Sequence, residues 1–225
     1  MNGPVAAGDN PMKPSAIIFD WDNTLVDTWE TIHAALVQTL DAMGHPAWTL
    51  AETKIRVARS LKNSFPALFG DRWDEARQHY LDAYAAIHLE RLVALPGAAA
   101  MLKALHGSGY YLAVVSNKTG KSLRIEAEHI GWARYFRRLV GAGDAQADKP
   151  DPACIRLALD GSGIAPDRAV WFVGDTALDM ESAHQAGLTA VLLGDPQGNA
   201  EELAKFPPDM RFPDCDSFVN HLRGL

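Results

Sequence analysis

The sequence has few of the residues that build disulfide or zinc frameworks. Cys154 and Cys215 are the only cysteines in 225 residues, and no Cys-x-x-Cys pair or Cys/His cluster surrounds them. We therefore expect reduced, structural thiols and a cytoplasmic protein. No run approaches the ~18 apolar residues of a membrane-spanning helix, so no membrane segment is expected. Residues 1–14 lack the apolar and basic runs of a signal peptide and are expected to form a flexible tail.

The chain also lacks an excess of basic residues. Its formal net charge is -7, and 48% of its residues are hydrophobic, which is typical of a globular protein. A nucleic-acid-binding protein would normally carry a basic face, so nucleic acid is not an expected partner. The charge is compatible with a small anionic substrate that is held by a few local cations. The sequence does not fix the oligomeric state.

Two aspartates one residue apart are the most informative feature that is present. Asp20 and Asp22 follow the apolar run of residues 16–19, which predicts a short strand. Side chains alternate along extended backbone, so both carboxylates are expected on one face, with Trp21 directed away from them. Two adjacent anions require a cation or a raised pKa, although a solvated turn would also explain so short a motif.

The remaining pattern predicts an α/β fold with a Rossmann-like, doubly wound parallel sheet, because apolar strands alternate with helices. Residues 15–27 and 95–225 are assigned to this core, and the helical residues 28–94 to a small inserted cap over the strand ends. Predicted strands cover residues 16–19, 110–116, 138–140, 169–173 and 189–193. Asp27 or Thr28 is expected to cap the first helix, with Glu30 three residues beyond Asp27 in the manner of a capping box. Further helices are predicted over residues 50–61, 73–92, 98–106, 121–130, 152–159 and 179–186.

Polar residues that could bind a ligand or take part in catalysis occur at three further places, two strand ends and one loop. Ser116 and Asn117 end one strand, and Asp175 and Asp179 follow another, while Lys149 lies in a loop stiffened by two prolines. Each has an ordinary explanation as a helix cap or a solvated loop residue. Together they place oxygen ligands, hydroxyl and amide groups and one cation at the strand ends of a single sheet, where α/β folds bind ligands.

In sequence and spacing, these four segments resemble the motifs of the haloacid dehalogenase-like superfamily of aspartate-nucleophile hydrolases. The helical insertion after the first motif is similar to that of phosphoglycolate phosphatases and β-phosphoglucomutases in this superfamily. Asn23 stands where the superfamily usually has Gly, and Asn tolerates the positive φ that such a turn requires. Haloalkanoate dehalogenases lack an aspartate at the position of Asp22, so phosphoryl transfer is favoured over carbon–halogen cleavage.

The resemblance implies a Mg²⁺-dependent phosphatase that hydrolyses a small phosphorylated metabolite, phosphoglycolate-like or a sugar phosphate, through an aspartyl-phosphate. The implied roles are Asp20 as nucleophile, Asp22 as general acid and base, Mg²⁺ binding by Asp20, the Asp22 carbonyl and Asp175, phosphoryl binding by Ser116, Asn117 and Lys149, and orientation by Asp179. Two alternatives stay open, a sugar phosphomutase of the same fold and a catalytically idle binding or regulatory module.

Two groups of residues are expected to have no role in binding or catalysis, namely the basic residues of the cap and four of the tryptophans. The basic residues Lys54, Arg56, Arg59 and Lys62 are interpreted as a solvated helix surface, because their spacing does not place all four on one face. The tryptophans at 29, 48, 73 and 132 are interpreted as packing residues.

Overall fold

The apolar run Ala16–Phe19 forms the central strand of a parallel sheet, β1. The structure, a computed structural model, describes residues 13–57, 61–197 and 200–225. The other strands are β2 (Val26–Asp27), β3 (Val93–Ala94), β4 (Tyr111–Thr119), β5 (Arg138–Ala142), β6 (Val170–Thr176), β7 (Thr189–Gln197) and β8 (Met210–Phe212). In the described chain the main sheet has six strands in the order β5-β4-β1-β6-β7-β8. All of its neighbours are parallel, as the sequence pattern predicts.

Helices connect the strands and cover both faces of the sheet. The α-helices are α1 (Trp29–Ala42), α2 (Leu50–Arg56), α3 (Leu61–Phe69), α4 (Trp73–Ile87), α5 (Ala98–Gly107), α6 (Gly120–His129), α7 (Pro152–Leu159), α8 (Ala177–Gln185), α9 (Ala200–Lys205) and α10 (Cys215–Arg223). Alternate residues of β1 enter different cores: Ile17 and Phe19 pack on one face, and Ala16 and Ile18 on the other. The result is a doubly wound, three-layer α/β core.

The helices α1 to α4 share a buried cluster of their own. Ile32, Leu36 and Leu40 of α1 pack there against Phe65 of α3 and Tyr84 of α4. Where the chain enters and leaves this helical segment, β2 and β3 pair antiparallel, with Val26 opposite Ala94. The segment therefore joins the sheet through one two-stranded ribbon. Its treatment as a separate cap domain stays an interpretation.

Several predicted boundaries differ from the structure. Thr28, one of the two caps that the sequence allows, is the N-cap of α1, but its side chain makes no capping bond, and the capping box expected at Asp27 and Glu30 is absent. The helix expected over residues 50–61 ends at Arg56, and residues 58–60 lie outside the described residues. The pattern also gave no indication of α3, whose interior contains Pro66, or of the short strand β3.

The described residues bear on three further predictions. Residues 1–12 lie outside them, so the expected flexible tail stays a prediction. Cys154 and Cys215 are free and buried, as expected. No helix within the described ranges has both the length and the apolar character needed to cross a bilayer.

Candidate active site

The predicted site residues meet at the carboxyl ends of three adjacent strands. Asp20 and Asp22 follow β1, while Ser116 belongs to β4 and Asp175 to β6, the two neighbours of β1. They line one cleft of about 140 Å³ together with Lys149. Residues from the helical segment, among them Trp29 and Tyr80, form the opposite wall. The cleft therefore lies between the sheet edge and the helices α1 and α4.

A buried carboxylate cluster forms the floor of this cleft. Carboxylate oxygens of Asp20, Asp175 and Asp179 lie within 4.8 Å of one another. Thr24 Oγ1 donates to Asp175 Oδ1 at 2.7 Å, which fixes the orientation of that carboxylate. The other oxygen, Asp175 Oδ2, is buried without a hydrogen-bond partner. A buried oxygen without a partner is costly unless a ligand completes it.

Lys149 neutralises part of this cluster. Its side chain is 2% exposed, and its Nζ lies 2.8 Å from Asp20 Oδ1 and 2.7 Å from Asp179 Oδ1. Asp179 in turn accepts from the backbone N–H of Thr176 at 3.0 Å and so caps α8. The predicted orienting contact between Asp179 and Lys149 is thus present in the structure. Gly174 packs against Asp179 so closely that an added Cβ would lie 2.3 Å from the Asp179 Cβ.

Ser116 and Asn117 lie at the opposite side of the nucleophile candidate from Asp175. The Ser116 hydroxyl is buried and accepts from the backbone N–H of Lys118 at 3.2 Å, which leaves its own proton for another acceptor. Asn117 Nδ2 donates to the Lys149 carbonyl at 3.3 Å. Hydroxyl and amide groups in this arrangement are suited to phosphoryl oxygens.

Asp22 has a different environment from Asp20. Its carboxylate lies outside the three-carboxylate cluster, and its Oδ1 is 2.7 Å from Lys118 Nζ. Trp21, between the two aspartates, is fully buried in the core against Trp132 and Phe136, as the alternation predicts. Asn23 adopts a φ of 60°, which confirms the prediction that it tolerates the turn.

The carboxylate cluster fits a hard divalent cation. Its described donors are all carboxylate oxygens, which Mg²⁺ prefers, and Asp175 Oδ2 is available as a ligand. Asp20 and Asp175 are the residues that would hold the ion. The Asp22 carbonyl, predicted as a third ligand, stays a prediction.

Comparison with known proteins places the chain in a family. A family model described as haloacid dehalogenase-like hydrolase matches residues 17–193, which include every predicted site residue. The chain belongs to the haloacid dehalogenase-like hydrolase family. The resemblance that the sequence motifs indicated is confirmed.

Relatives of this hydrolase carry a consistent description. A phosphoglycolate phosphatase of Pseudomonas fluorescens strain Pf-5 is 30% identical over 94% of the hydrolase and 78% of the relative. One from Psychrobacter arcticus is 26% identical over 94% and 96% of the two chains. The hydrolase fold resembles that of a predicted phosphoglycolate phosphatase of Haemophilus somnus 129PT, with a TM-score of 0.82, 23% identity and coverage of 93% and 98%.

Burial dominates the electrostatics of the hydrolase cluster. Desolvation raises the pKa of Asp20 to about 6, although Lys149 opposes the shift. The pKa of Asp175 is raised well above its usual range by burial and by the charges of Asp179 and Asp20. Burial alone would lower the pKa of Lys149, but Asp179 and Asp20 outweigh it and raise that pKa. A divalent cation would relieve the carboxylate crowding that these shifts report.

Some residues of the hydrolase site were not anticipated. Lys118 directly follows the Ser116–Asn117 pair and Thr24 directly follows Asn23, but the sequence pattern predicts no role for either. Glu126 in α6 is fully buried beside Lys118, and Tyr84 of α4 contacts both. A lysine directly after the Ser-Asn pair is a signal that would have found Lys118, whereas Glu126 has no local signal.

Of the tryptophans and basic residues in the helical segment, one tryptophan lines the cleft, and two basic residues lie over tryptophan rings. Trp29 was interpreted as a packing residue, but it lines the cleft. Lys54 lies over the Trp29 ring, and Arg56 lies over the Trp48 ring and pairs with Glu52 at 3.4 Å. Arg59 lies outside the described residues.

Proposed function

We propose that this hydrolase is a Mg²⁺-dependent phosphatase that hydrolyses a small phosphorylated metabolite, phosphoglycolate-like or a sugar phosphate, through an aspartyl-phosphate. The observation that carries the proposal is the pairing of the two motif aspartates with different lysines. Asp20 pairs with Lys149 inside the carboxylate cluster, and Asp22 pairs with Lys118 outside it. Different environments allow two neighbouring carboxyl groups to perform different tasks.

In the proposed first step, Asp20 attacks phosphorus and displaces the alcohol. Asp22 gives its proton to the departing oxygen. In the second step Asp22 removes a proton from water, which attacks the phosphorus of the aspartyl-phosphate and releases inorganic phosphate and Asp20. Ser116, Asn117 and Lys149 hold the phosphoryl oxygens, where negative charge accumulates.

Asp20 and Asp175 would bind Mg²⁺ beside the phosphoryl group, and the ion would supply positive charge to its oxygens. Lys149 Nζ already contacts two carboxylates, Asp20 at 2.8 Å and Asp179 at 2.7 Å, which leaves one of its three N–H bonds for a phosphoryl oxygen. It compensates the cluster only in part, since Asp20, Asp175 and Asp179 together carry three potential negative charges. A second cation accounts for the remaining charge.

The small volume of the cleft supports a small substrate. Its volume of about 140 Å³ matches a phosphoryl group with a short leaving group better than a polymer. The names of the relatives from Pseudomonas and Psychrobacter, both phosphoglycolate phosphatases, support the same size class. A cytoplasmic location stays part of the proposal.

A panel of phosphate esters tests this function. Phosphoglycolate, several sugar phosphates and p-nitrophenyl phosphate would be incubated with the protein and Mg²⁺, and free phosphate and free alcohol would be measured. We expect both products in equal amounts, loss of turnover with EDTA, and recovery with excess Mg²⁺. Transfer of the phosphoryl group to another substrate hydroxyl would indicate a phosphomutase. Absence of turnover on every ester would indicate a binding module.

A further inference from the structure

Glu126 makes an unusual number of contacts for a buried carboxylate. It lies on α6 and is fully buried. Trp21 Nε1 donates to its Oε2 at 2.7 Å, and the Tyr84 hydroxyl donates to its Oε1 at 2.9 Å. His88 Nδ1 lies 2.8 Å from the same Oε1, and Lys118 Nζ lies 2.8 and 2.7 Å from the two oxygens. Donors from three other segments therefore occupy both oxygens of one side chain.

Lys118 connects this carboxylate to the reaction centre. Its side chain is 5% exposed, and its Nζ contacts Asp22 Oδ1 at 2.7 Å as well as Glu126 and the Tyr84 hydroxyl. An ammonium group has three N–H bonds, and the Tyr84 hydroxyl and the two Glu126 oxygens accept all three, while Asp22 Oδ1 is held as an ion pair. Lys118 is thus fixed between Asp22 and Glu126 and has no donor left for a substrate anion.

The contacts also join the helical segment to the sheet edge. Tyr84 belongs to α4 and His88 directly follows it, whereas Glu126 and Lys118 belong to the α/β core. A charged network this deeply buried is favourable only when all of its members are paired. Glu126 and Lys118 therefore have their full set of partners only while Tyr84 of α4 and the neighbouring His88 reach the core, which is also the arrangement that places the helical segment over the cleft.

We propose that Glu126 is a positioning residue that holds Lys118, and through it the carboxyl group of Asp22, in the geometry for proton transfer, with Tyr84 of the helical segment completing the arrangement. The inference rests on the proposed function, in which Asp22 is the general acid and base. It adds a residue that never touches substrate and that acts only through Asp22. It also makes the position of the helical segment part of the acid–base machinery.

The variant Glu126→Gln tests this role, because it keeps the shape and an acceptor oxygen but removes the charge that holds Lys118. Glu128→Gln is the matched control, since Glu128 lies two residues further along α6 and is exposed. Single-turnover rates would be measured with an alkyl phosphate and with p-nitrophenyl phosphate. The alkyl leaving group needs a proton from Asp22, whereas p-nitrophenolate leaves without one.

We expect Glu126→Gln to lower the alkyl phosphate rate by about 10- to 100-fold, a part of the range for general acid catalysis. The burst rate with p-nitrophenyl phosphate should change by less than about threefold, a small effect on that energy scale. In an Asp22→Asn background, the same change should cause no further loss, because its effect passes through Asp22. Glu128→Gln should match the wild type with both esters.

Equal losses with both leaving groups, or losses that add in the double variant, would show a purely structural role and overturn the inference alone. Wild-type protein that releases no phosphate from any ester would overturn the proposed function together with this inference. Should Glu126→Gln fail to fold, Tyr84→Phe carries the test, because it removes only the hydroxyl that contacts Lys118 and Glu126. It must show the same selectivity for the alkyl leaving group, and a non-selective effect would contradict the proposal.

Discussion

At the residue scale, the two motif aspartates are distinguished by their neighbours. Asp20 is buried in the cluster with Asp175 and Asp179, where the proposed cation would bind. Asp22 is turned toward Lys118, away from that cluster. The sequence places both carboxylates at one strand end, and contacts with residues that are distant in the chain give them different environments.

The division predicts a specific kinetic pattern for Asp22→Asn. Protonation of p-nitrophenolate contributes little, so the variant should still form the aspartyl-phosphate, whereas hydrolysis of the intermediate needs a base. We expect a burst of p-nitrophenol followed by turnover that is about 10²- to 10⁴-fold slower than wild type. Stopped-flow absorbance checks the burst.

Intact-mass analysis after a rapid quench should find a phosphate adduct on Asp22→Asn. Asp20→Asn is the matched control, since it keeps the shape of the side chain and removes the attacking oxygen charge. It should fold normally and form no adduct. An adduct that maps to a residue other than Asp20, or wild-type hydrolysis of alkyl phosphates by Asp22→Asn, would contradict the proposed mechanism.

At the scale of elements, the sequence predicts where strands begin better than where they end. The main-sheet strands predicted from residue 138 and residue 189 begin there, but β4 and β6 continue to Thr119 and Thr176, three residues beyond the predicted ends. Apart from Gly174, the added residues are polar and line the cleft, so hydropathy alone ends the strand too early.

The same reasoning separates the site residues that could be predicted from those that could not. Asp20, Ser116 and Asp175 follow apolar strands directly, so a local pattern reveals them. Glu126 is defined by Trp21 and Tyr84, which lie 105 and 42 residues away in sequence. A glutamate on an amphipathic helix looks like a solvent-facing residue until the tertiary contacts are known.

The junction of β6 and α8 leads to a prediction about Gly174. A Cβ at this position would lie 2.3 Å from Asp179 Cβ and Cγ, so Gly174→Ala must displace the carboxylate that pairs with Lys149. We expect a loss of about 1–3 kcal/mol in the free energy of unfolding, as is typical of overpacking, together with weaker inhibition by inorganic phosphate. Urea unfolding and inhibition kinetics measure the two effects.

Gly107→Ala is a suitable control for this experiment. Gly107 ends α5, and an added Cβ there meets no atom within 4 Å. Its substitution should leave phosphate inhibition unchanged and the unfolding free energy equal or higher, by up to about 1 kcal/mol. If Gly174→Ala behaves like this control, the close packing against Asp179 has no energetic consequence and the prediction is wrong.

At the scale of the whole molecule, the carboxylate cluster links stability to pH and to metal. The folded state raises the pKa of Asp20 from 3.8 to about 6 and that of Asp175 well above 3.8. Between pH 3.8 and about 6 the folded protein therefore holds protons that the unfolded chain has lost. The contribution of these groups to stability falls as the pH rises through this window.

Mg²⁺ should reverse this loss, because it binds the ionised carboxylates and competes with their protons. A concentration 100 times the Kd adds about 2.7 kcal/mol, which corresponds to a rise in Tm of about 5–10 °C for a chain of this size. The rise should be larger at pH 7.5 than at pH 5 and absent in Asp175→Asn. Thermal melts with and without Mg²⁺ at the two pH values measure this difference. An equal rise in Tm at pH 7.5 and pH 5 would show that Mg²⁺ does not compete with protons on these carboxylates.

The ribbon of β2 and β3 has a consequence for how the chain can fold. The Leu95 N–H donates to the Leu25 carbonyl at 2.9 Å, so the two ends of the helical segment are held side by side. Because the ends of the helical segment lie together, the segment acts as one long loop that leaves the sheet and returns to it at the same place. The entropic cost of closing such a loop grows only with the logarithm of its length, about 0.6 kcal/mol for each doubling. The sheet can therefore carry an insertion of this size at nearly the energetic cost of a much shorter turn. Insertions and deletions between these two strands should leave the strand register around Asp20 unchanged, so the helical wall of the cleft could change in length and sequence without moving the residues at the sheet edge.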